Sequence, residues 1–183
     1  MEPLIETSNL IQIKQADPED AEIISSIGRK SFRSAFEYLF NDKNELREYL
    51  DYTYDTRKIS HSICKHNNVF FLAFSDGNPA GFAKVKKHSL NYQVESGAQM
   101  ELQKIYILPE FHGNGLGSAL MNSVFILAQE LKPDIIWLDT HISNFKAIAF
   151  YEKRGFKKYG KHSFIIGTQT FEYHVMTIPL QSL

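Results

Sequence analysis

Short runs of alternating or uniformly apolar residues, bounded by turn-forming residues, predict a chain rich in β-strands. Residues 10–14 alternate in polarity, whereas residues 135–138 form the continuous apolar run that is typical of a strand covered on both faces. Asp76-Gly77-Asn78-Pro79 separates two apolar segments and predicts a hairpin turn. Strands are expected over residues 10–14, 69–75, 80–87, 100–108, 135–138, 157–165 and 170–178.

Helical spacing of apolar residues fills much of the remaining chain. Asp17 followed by Pro18 is typical of a helix start, Ser143 or Asn144 caps the last helix, and Gly155 ends it. Helices are predicted over about 18–36, 44–54, 116–131 and 144–154, with a helix end and turn at 61–68. The order β-α-α-β-β-β-α-β-α-β-β predicts a mixed α/β fold and one domain spanning residues 1–183.

Composition narrows the choice of chemistry. Of 183 residues, 43% are hydrophobic and 22% charged, which excludes a disordered or fibrous chain. The net charge is −1, so a global electrostatic hold on nucleic acid is not expected. Cys64 is the only cysteine, which excludes an intramolecular disulfide and a cysteine-based zinc site, and it is interpreted as a helix-face residue. The seven histidines show no metal spacing, so no metal is expected.

No targeting or membrane segment is evident in the sequence. Residues 1–7 carry two acids and no basic residue, unlike a signal peptide. The longest strongly apolar run, residues 69–74, is too short to cross a bilayer. These features predict a cytoplasmic protein with no membrane partner.

The apolar pattern changes parity inside the strand predicted at 100–108. Met100 and Leu102 lie at even positions, whereas Ile105 and Ile107 lie at odd positions. A strand can bury both pairs on one face only if an extra residue is inserted between them, so a β-bulge is expected near Gln103. Such a bulge would splay the strand and free main-chain groups for a ligand.

Three glycines, Gly113, Gly115 and Gly117, lie between the end of this strand and the next helix. Glycine lets the main chain approach a ligand closely, and the amides at a helix N-terminus favour an anion, so this segment predicts a pyrophosphate cradle. The spacing fits neither the Walker A loop nor the dinucleotide-binding pattern G-x-G-x-x-G. A glycine-rich helix entry without any ligand is the alternative.

A second motif reads Asn144-x-x-Ala147-x-x-x-Tyr151-Glu-Lys-x-Gly155-Phe156. Together with the bulged strand and the glycine loop, it resembles the core motif of the GNAT superfamily of N-acetyltransferases, here at about residues 100–156. One departure is His112, which stands where the family pattern (Q/R)-x-x-G-x-(G/A) has Gln or Arg. Residues 31–32, 101–107, 136–138 and 162–164 look most like the PaiA-type polyamine N-acetyltransferases.

The resemblance implies the GNAT (acyl-CoA N-acyltransferase) fold, a mixed sheet with a bulge in its fourth strand flanked by helices. It also implies acetyl-CoA as cosubstrate, with the main chain of Ile105, Tyr106 and Ile107 along the pantetheine arm. Asn144 would contact pantetheine or order the splayed strand, and Tyr151 would lie near the thioester sulfur. Residues expected at the CoA phosphates are His112, Gly113, Asn114, Gly115, Leu116, Gly117, Ser118 and Lys153. For Lys153 and its basic neighbours, a solvated strand rim is the alternative.

The implied reaction is direct attack of a neutral amine on the thioester, without a covalent intermediate. Because an aliphatic amine has a pKa of about 10.4, the protein must assist its deprotonation. Glu101 is the candidate base, through water, and Tyr151 the candidate acid for the departing thiolate. The alternatives are an ordinary strand acid and a core tyrosine.

The acceptor is expected to contact residues 36–56, where six acids interleave with aromatics. An acidic, aromatic groove would suit a linear polycation such as spermidine or spermine, although the acids could instead form a solvated face. The six acids are Glu37, Asp42, Glu45, Glu48, Asp51 and Asp55. His141 and His162 are possible further lining residues.

Three other functions stay open at this stage. The acceptor could be a protein N-terminus or lysine, the domain could be a non-catalytic CoA-binding module, or the loop could bind another nucleotide phosphate. Retention of Glu101 and Tyr151 disfavours the non-catalytic module. Homodimers are frequent in the superfamily, and the sequence carries no interface signature of its own.

Overall fold

The computed structural model describes residues 10–183. Within that range the strands are β1 (Ile11–Gln15), β2 (Asn68–Ser75), β3 (Asn78–Lys86), β4 (Gln99–Ile107), β5 (Ile135–His141), β6 (Lys157–Ile166) and β7 (Gln169–Pro179). The α-helices are α1 (Ala21–Phe36), α2 (Lys43–Thr53), α3 (Thr56–Ile63), α4 (Leu116–Leu131) and α5 (Phe145–Glu152). The expectation about a signal peptide concerns residues outside this range. None of these helices is long and apolar enough to cross a membrane.

All seven strands form one mixed sheet in the order β1-β2-β3-β4-β5-β7-β6. Neighbouring strands are antiparallel except β4 and β5, which run parallel. This parallel pairing covers only Gln99 to Glu101 of β4, opposite Ile135 to Trp137 of β5. Both strands continue beyond the last pair without pairing again, so the sheet is split along the second half of β4.

The bulge predicted in β4 is confirmed. Lys104 pairs with Lys84 of β3, and Leu102 pairs with Val85, which leaves Gln103 as the extra residue. As a result Met100, Leu102, Ile105 and Ile107 all pack against the same hydrophobic cluster, on the α4 side of the sheet. The change of parity in the sequence therefore reports the bulge directly.

Two hydrophobic layers cover the sheet. On one face α4 buries Leu120, Met121 and Val124 completely, each worth roughly 1.5–3 kcal/mol of transfer free energy. On the other face α1, α2 and α3 pack over Phe70, Phe82 and the aromatic residues around them. The wide cavity described below lies on this second face.

One helix is missing from the predicted order. Residues 56–63 form α3, whereas the sequence pattern predicts only a helix end and turn at 61–68. The side chain of Asp55 caps α3 by accepting a hydrogen bond from the Lys58 N–H at 2.9 Å. Ile59 is the only residue of α3 that is fully buried, so eight residues give too little apolar periodicity to recognise.

Candidate active site at the split between β4 and β5

The open edge of β4 presents main-chain groups. The Leu108 N–H donates to the Ala80 carbonyl of β3 at 2.8 Å. Because main-chain groups alternate between the two edges of a strand, the N–H groups of Ile105 and Ile107 point to the other edge, where β5 has separated. By the same alternation the main chain of Tyr106 faces β3, and its side chain packs near Phe82. The split thus presents Ile105 and Ile107, but not Tyr106, to a ligand.

His112 and Ser31 fix the end of this edge. The Ile107 carbonyl oxygen lies 3.0 Å from Nε2 of His112 and accepts a hydrogen bond from the Ser31 hydroxyl at 3.2 Å. His112 therefore connects the glycine loop to the strand. The contact needs only one N–H donor, so a histidine can serve where the family pattern has Gln or Arg.

The glycine loop leads into α4 with its amides free. Gly113 and Gly115 have φ angles of +84° and +82°, in the left-handed region that favours glycine. Gly115 is the N-cap residue of α4, so no side chain caps the first-turn N–H groups of Leu116, Gly117 and Ser118. A helix start with uncapped amides is a ready site for a phosphate group.

Positive charge lies beside this helix start. A surface cavity of about 600 Å³ between α4 and α5 is lined by Ser118, Lys146, Lys153 and Arg154, among others. The Arg154 guanidinium lies over the Phe150 ring, 3.5 Å from its centre, and hydrogen-bonds the Ser118 hydroxyl. Lys153 and Arg154 therefore bring positive charge close to the helix start, whereas Lys158 extends from β6 and pairs with Glu152.

Asn144 and Tyr151 border the split from the α5 side. The Asn144 side chain caps α5 by accepting from the Ala147 N–H at 3.2 Å, and it also lines the large cavity. Tyr151 is buried between the rings of Phe150 and Phe156 and lines the same cavity. Burial raises the pKa of the Tyr151 hydroxyl well above its usual value. The Tyr151 hydroxyl therefore stays protonated near neutral pH. Its pKa differs more from that of a thiol than the pKa of an ordinary tyrosine does.

The large cavity, of about 1420 Å³, joins the open edge of β4 to the α1–α3 side of the sheet. Five of the six aromatic residues in the segment 36–56 line it, namely Phe36, Tyr38, Tyr49, Tyr52 and Tyr54. Its charged lining residues are Lys58, Lys65, Lys84, Lys104, Lys146, Glu101 and Asp139. The lining is therefore aromatic, as predicted, and more basic than acidic.

None of the six acids between residues 36 and 56 lines this cavity, so the predicted acidic groove is wrong. Several of these acids stabilise local structure instead. Asp42 and Asp55 cap α2 and α3, and Asp51 pairs with Arg29. Glu45 accepts hydrogen bonds from the N–H and the hydroxyl of Thr168, which tie α2 to the turn between β6 and β7.

Two carboxylates flank the split. Glu101 is buried, and its Oε2 lies 3.0 Å from Nζ of Lys86 and 2.7 Å from the Ser89 hydroxyl. Asp139 lies on β5, two residues beyond Trp137, the residue paired with Glu101. Both side chains line the cavity, as a pair of acid–base groups would.

Asp139 was not among the residues expected from the sequence. Burial, followed by the charge of Glu101, raises its pKa from 3.8 to about 7. Its Oδ2 lies 3.2 Å from Nε2 of His162, and within residues 10–183 its buried Oδ1 has no hydrogen-bond partner. No spacing in the sequence marks this residue, because its properties come from burial and from residues on β4 and β6. The other histidine considered, His141, lines the cavity and lies 2.8 Å from the Ser143 hydroxyl.

Main-chain donors on a split strand, an uncapped helix start and a basic rim together suit a long ligand that carries phosphate groups, as a CoA thioester does. The chain belongs to the acetyltransferase (GNAT) family, whose model matches residues 28–156. It is accordingly an acetyl-CoA-dependent N-acetyltransferase of the GNAT kind.

Several known proteins are similar to this chain in sequence or in fold. An uncharacterized N-acetyltransferase of Lactobacillus delbrueckii subsp. lactis is 24% identical over 157 residues, which are 86% of this chain and 90% of that protein. The PaiA N-acetyltransferase of Thermoplasma acidophilum, solved with coenzyme A, superposes with a TM-score of 0.75 at 20% identity over 93% of this chain and 99% of that one. YncA of Salmonella typhimurium, solved with its cofactor acetyl-CoA, gives a TM-score of 0.63 at 17% identity over 93% and 94% of the two chains.

Replacing Gly113 by alanine tests the loop. We expect Gly113→Ala to raise the Kd for acetyl-CoA about ten-fold, because distorting the loop weakens hydrogen bonds to charged phosphates. Gly77→Ala is a matched control, since Gly77 also has a positive φ and open space around it, but lies in the β2–β3 turn. Both variants should lose a similar roughly 1–2 kcal/mol of stability. Equal acetyl-CoA affinity in the two variants, measured by calorimetry, would exclude the loop as the phosphate cradle.

Proposed function

We propose that this protein transfers the acetyl group of acetyl-CoA to the primary amine of a small molecule by direct attack. One observation carries the proposal: the open edge of β4, the buried Tyr151 and the two carboxylates Glu101 and Asp139 all border one cavity of about 1420 Å³. Hydrogen-bond donors for the thioester, a proton acceptor and a proton donor are thus available at one place. The cavity also has room for the amine substrate.

The proposed reaction proceeds without a covalent enzyme intermediate. The amine nitrogen forms a bond to the acetyl carbon, and the bond from that carbon to sulfur breaks. A proton leaves the nitrogen for a carboxylate, directly or through water, and the sulfur receives a proton that the Tyr151 hydroxyl can donate. Main-chain N–H groups at the bulge would stabilise the negative charge on the acetyl oxygen.

We assign Asp139 as the proton acceptor. The negative charge of Glu101 contributes to the raised pKa of Asp139. A general base works best when its pKa lies near the operating pH, and burial raises the pKa of Asp139 to about 7. Glu101 was the base proposed from the sequence, but its Oε2 is held by Lys86 and Ser89.

The two carboxylates can be distinguished by their pH profiles. In Glu101→Gln, the rise of kcat/KM with pH should move to lower pH and persist, because the charge that helps to raise the pKa of Asp139 is lost. If Glu101→Gln instead abolishes the rise, Glu101 is the base.

A polyamine acceptor is the narrower prediction from the sequence. Its support is the resemblance to PaiA-type enzymes and the aromatic lining of the cavity. The acids expected to bind a polycation lie elsewhere, so the proposal made here is limited to a primary amine. A homodimer and a cytoplasmic location stay predictions.

An amine panel tests the function. Purified protein would be given acetyl-CoA with spermidine, with monoamines and with peptides that offer a free N-terminus or a lysine, and thiol release followed. We expect release that depends on a small amine. Release with peptides alone would favour a protein acetyltransferase, and acetyl-CoA binding without release on any amine would favour a non-catalytic module.

A further inference from the structure

One end of the large cavity is a chamber lined by basic residues. Its lysines come from α3, from the turn after α3 and from the paired strands β3 and β4. We call this part the basic chamber and define it by Lys58, Lys65, Lys84 and Lys104. None of these lysines belongs to the loop or rim assigned to the CoA phosphates.

Lys84 and Lys104 form the floor of the basic chamber. They are directly paired across β3 and β4, so their side chains share one face of the sheet. The Lys84 ammonium lies 5.4 Å from the centre of the Phe70 ring, and the Lys104 ammonium 5.6 Å from that of Tyr54. Within the part of the chain that the structure describes, neither ammonium has a carboxylate within 4.0 Å.

Two neighbouring ammonium groups without a counter-ion are costly to remove from water. Burial lowers the pKa of both lysines to about 8; the Lys104 charge adds to this effect at Lys84, and that of Lys86 does so at both. Glu101 opposes this effect only in part, because Lys86 already pairs with it. An anionic group bound between the two ammonium groups would remove this cost.

The basic chamber adjoins the reacting position. Lys104 directly follows Gln103, the extra residue of the bulge, and Glu101 lines the same cavity. A molecule whose amine lies at the split can therefore extend its other end towards Lys84 and Lys104. A polycation would bring positive charge to the same place and be repelled.

We propose that the basic chamber binds an anionic group of the acceptor, so that the substrate is a primary amine carrying a carboxylate or a phosphate. The inference rests on the proposed transferase function and narrows its substrate class. Carboxylate and phosphate share the chemistry that paired lysines recognise, and matched substrates can separate them.

A set of linear six-carbon amines tests this proposal. The panel is ε-aminocaproate, aminohexyl phosphate, n-hexylamine and hexamethylenediamine, each given to the protein with acetyl-CoA. We expect kcat/KM for at least one of the two anionic amines to exceed that for n-hexylamine about ten-fold, with the diamine the poorest. Whichever anion gives the higher value identifies the group. The proposal is overturned if kcat/KM for n-hexylamine or for the diamine equals or exceeds the values for both anionic amines.

Variants connect the effect to the two lysines. In Lys84→Gln and Lys104→Gln, KM for the preferred anionic amine should rise about ten-fold, and more than KM for n-hexylamine. Lys30→Gln, on the exposed side of α1, is the control and should leave both values unchanged. A KM for the anionic amine that is unchanged in both cavity variants would contradict the assignment.

Binding measured by calorimetry on the CoA complex separates this inference from the transferase proposal. The anionic amine should bind to the parent and at least ten-fold more weakly to Lys84→Gln. Binding of this kind without any thiol release would support the basic chamber and contradict the transferase function. Thiol release with n-hexylamine but no preference for an anionic amine would do the reverse.

Discussion

Replacing Tyr151 by phenylalanine is expected to lower kcat for acetyl transfer by about 100-fold, the scale of losing one general acid. The Tyr151 hydroxyl is held in a buried position between Phe150 and Phe156, where burial raises its pKa and keeps it protonated. A phenylalanine fills nearly the same volume, so the ring packing should persist and only the proton donor is lost. Stopped-flow measurement of thiol release gives kcat, and calorimetry gives the affinity for acetyl-CoA.

The comparison for Tyr151→Phe is Tyr159→Phe. Tyr159 lies on β6, is 47% exposed and does not line the large cavity, so its hydroxyl serves no role in the proposed reaction. We expect this variant to retain the parent rate and both variants to retain parent affinity for acetyl-CoA. An unchanged kcat in Tyr151→Phe would remove the tyrosine from the mechanism, and Tyr151 would then be a core residue.

Replacing Asp139 by asparagine should lower kcat/KM by at least about 100-fold near neutral pH, as expected for loss of a general base. In the parent, the carboxylate can accept the amine proton only when ionised, so kcat/KM should rise with pH through about 7. In Asp139→Asn this rise through pH 7 should disappear. A profile of kcat/KM from acid to mildly alkaline pH measures both effects.

Stability provides the folding control for Asp139→Asn. The folded-state pKa of Asp139 lies above the ordinary value of 3.8, so the protonated carboxyl favours the fold and the ionised one opposes it as pH rises through about 7. The asparagine variant should therefore melt no lower than the parent at alkaline pH. Asp134→Asn, at an exposed residue just before β5, should retain both the rate and the pH profile. A rise through pH 7 that survives in Asp139→Asn would contradict its role as base.

The bulge could be predicted from sequence because a strand has a period of two. Met100 and Leu102 lie at even positions, and Ile105 and Ile107 lie at odd positions. One face of the strand can bury all four only if a residue is inserted between the two pairs. The glycine loop was recognisable for a similar reason, since positive φ and uncapped amides depend on local residues. The bulge and the positive φ angles of the loop glycines are therefore set by short segments of chain.

The charge of the residues that line the large cavity could not be predicted in this way. The acids and aromatics in residues 36–56 suggest an acidic groove in the sequence. In the structure, several of these acids cap helices or bind the turn between β6 and β7 instead. The lysines that do line the cavity, Lys84 and Lys104, are brought together by strand pairing. Asp139 likewise owes its raised pKa to burial and to Glu101 on another strand. Such properties arise from tertiary contacts, which no local pattern records.

Amide hydrogen exchange, read residue by residue by NMR with and without acetyl-CoA, tests most directly whether main-chain groups at the split bind the cosubstrate. We expect slower exchange on binding at Ile105 and Ile107, on the open edge of β4, and at Leu116, Gly117 and Ser118 in the first turn of α4. Tyr106, whose N–H faces β3, should change least among the strand residues. If acetyl-CoA binds and leaves the exchange of all five amides unchanged, main-chain groups at the split do not hold the cosubstrate.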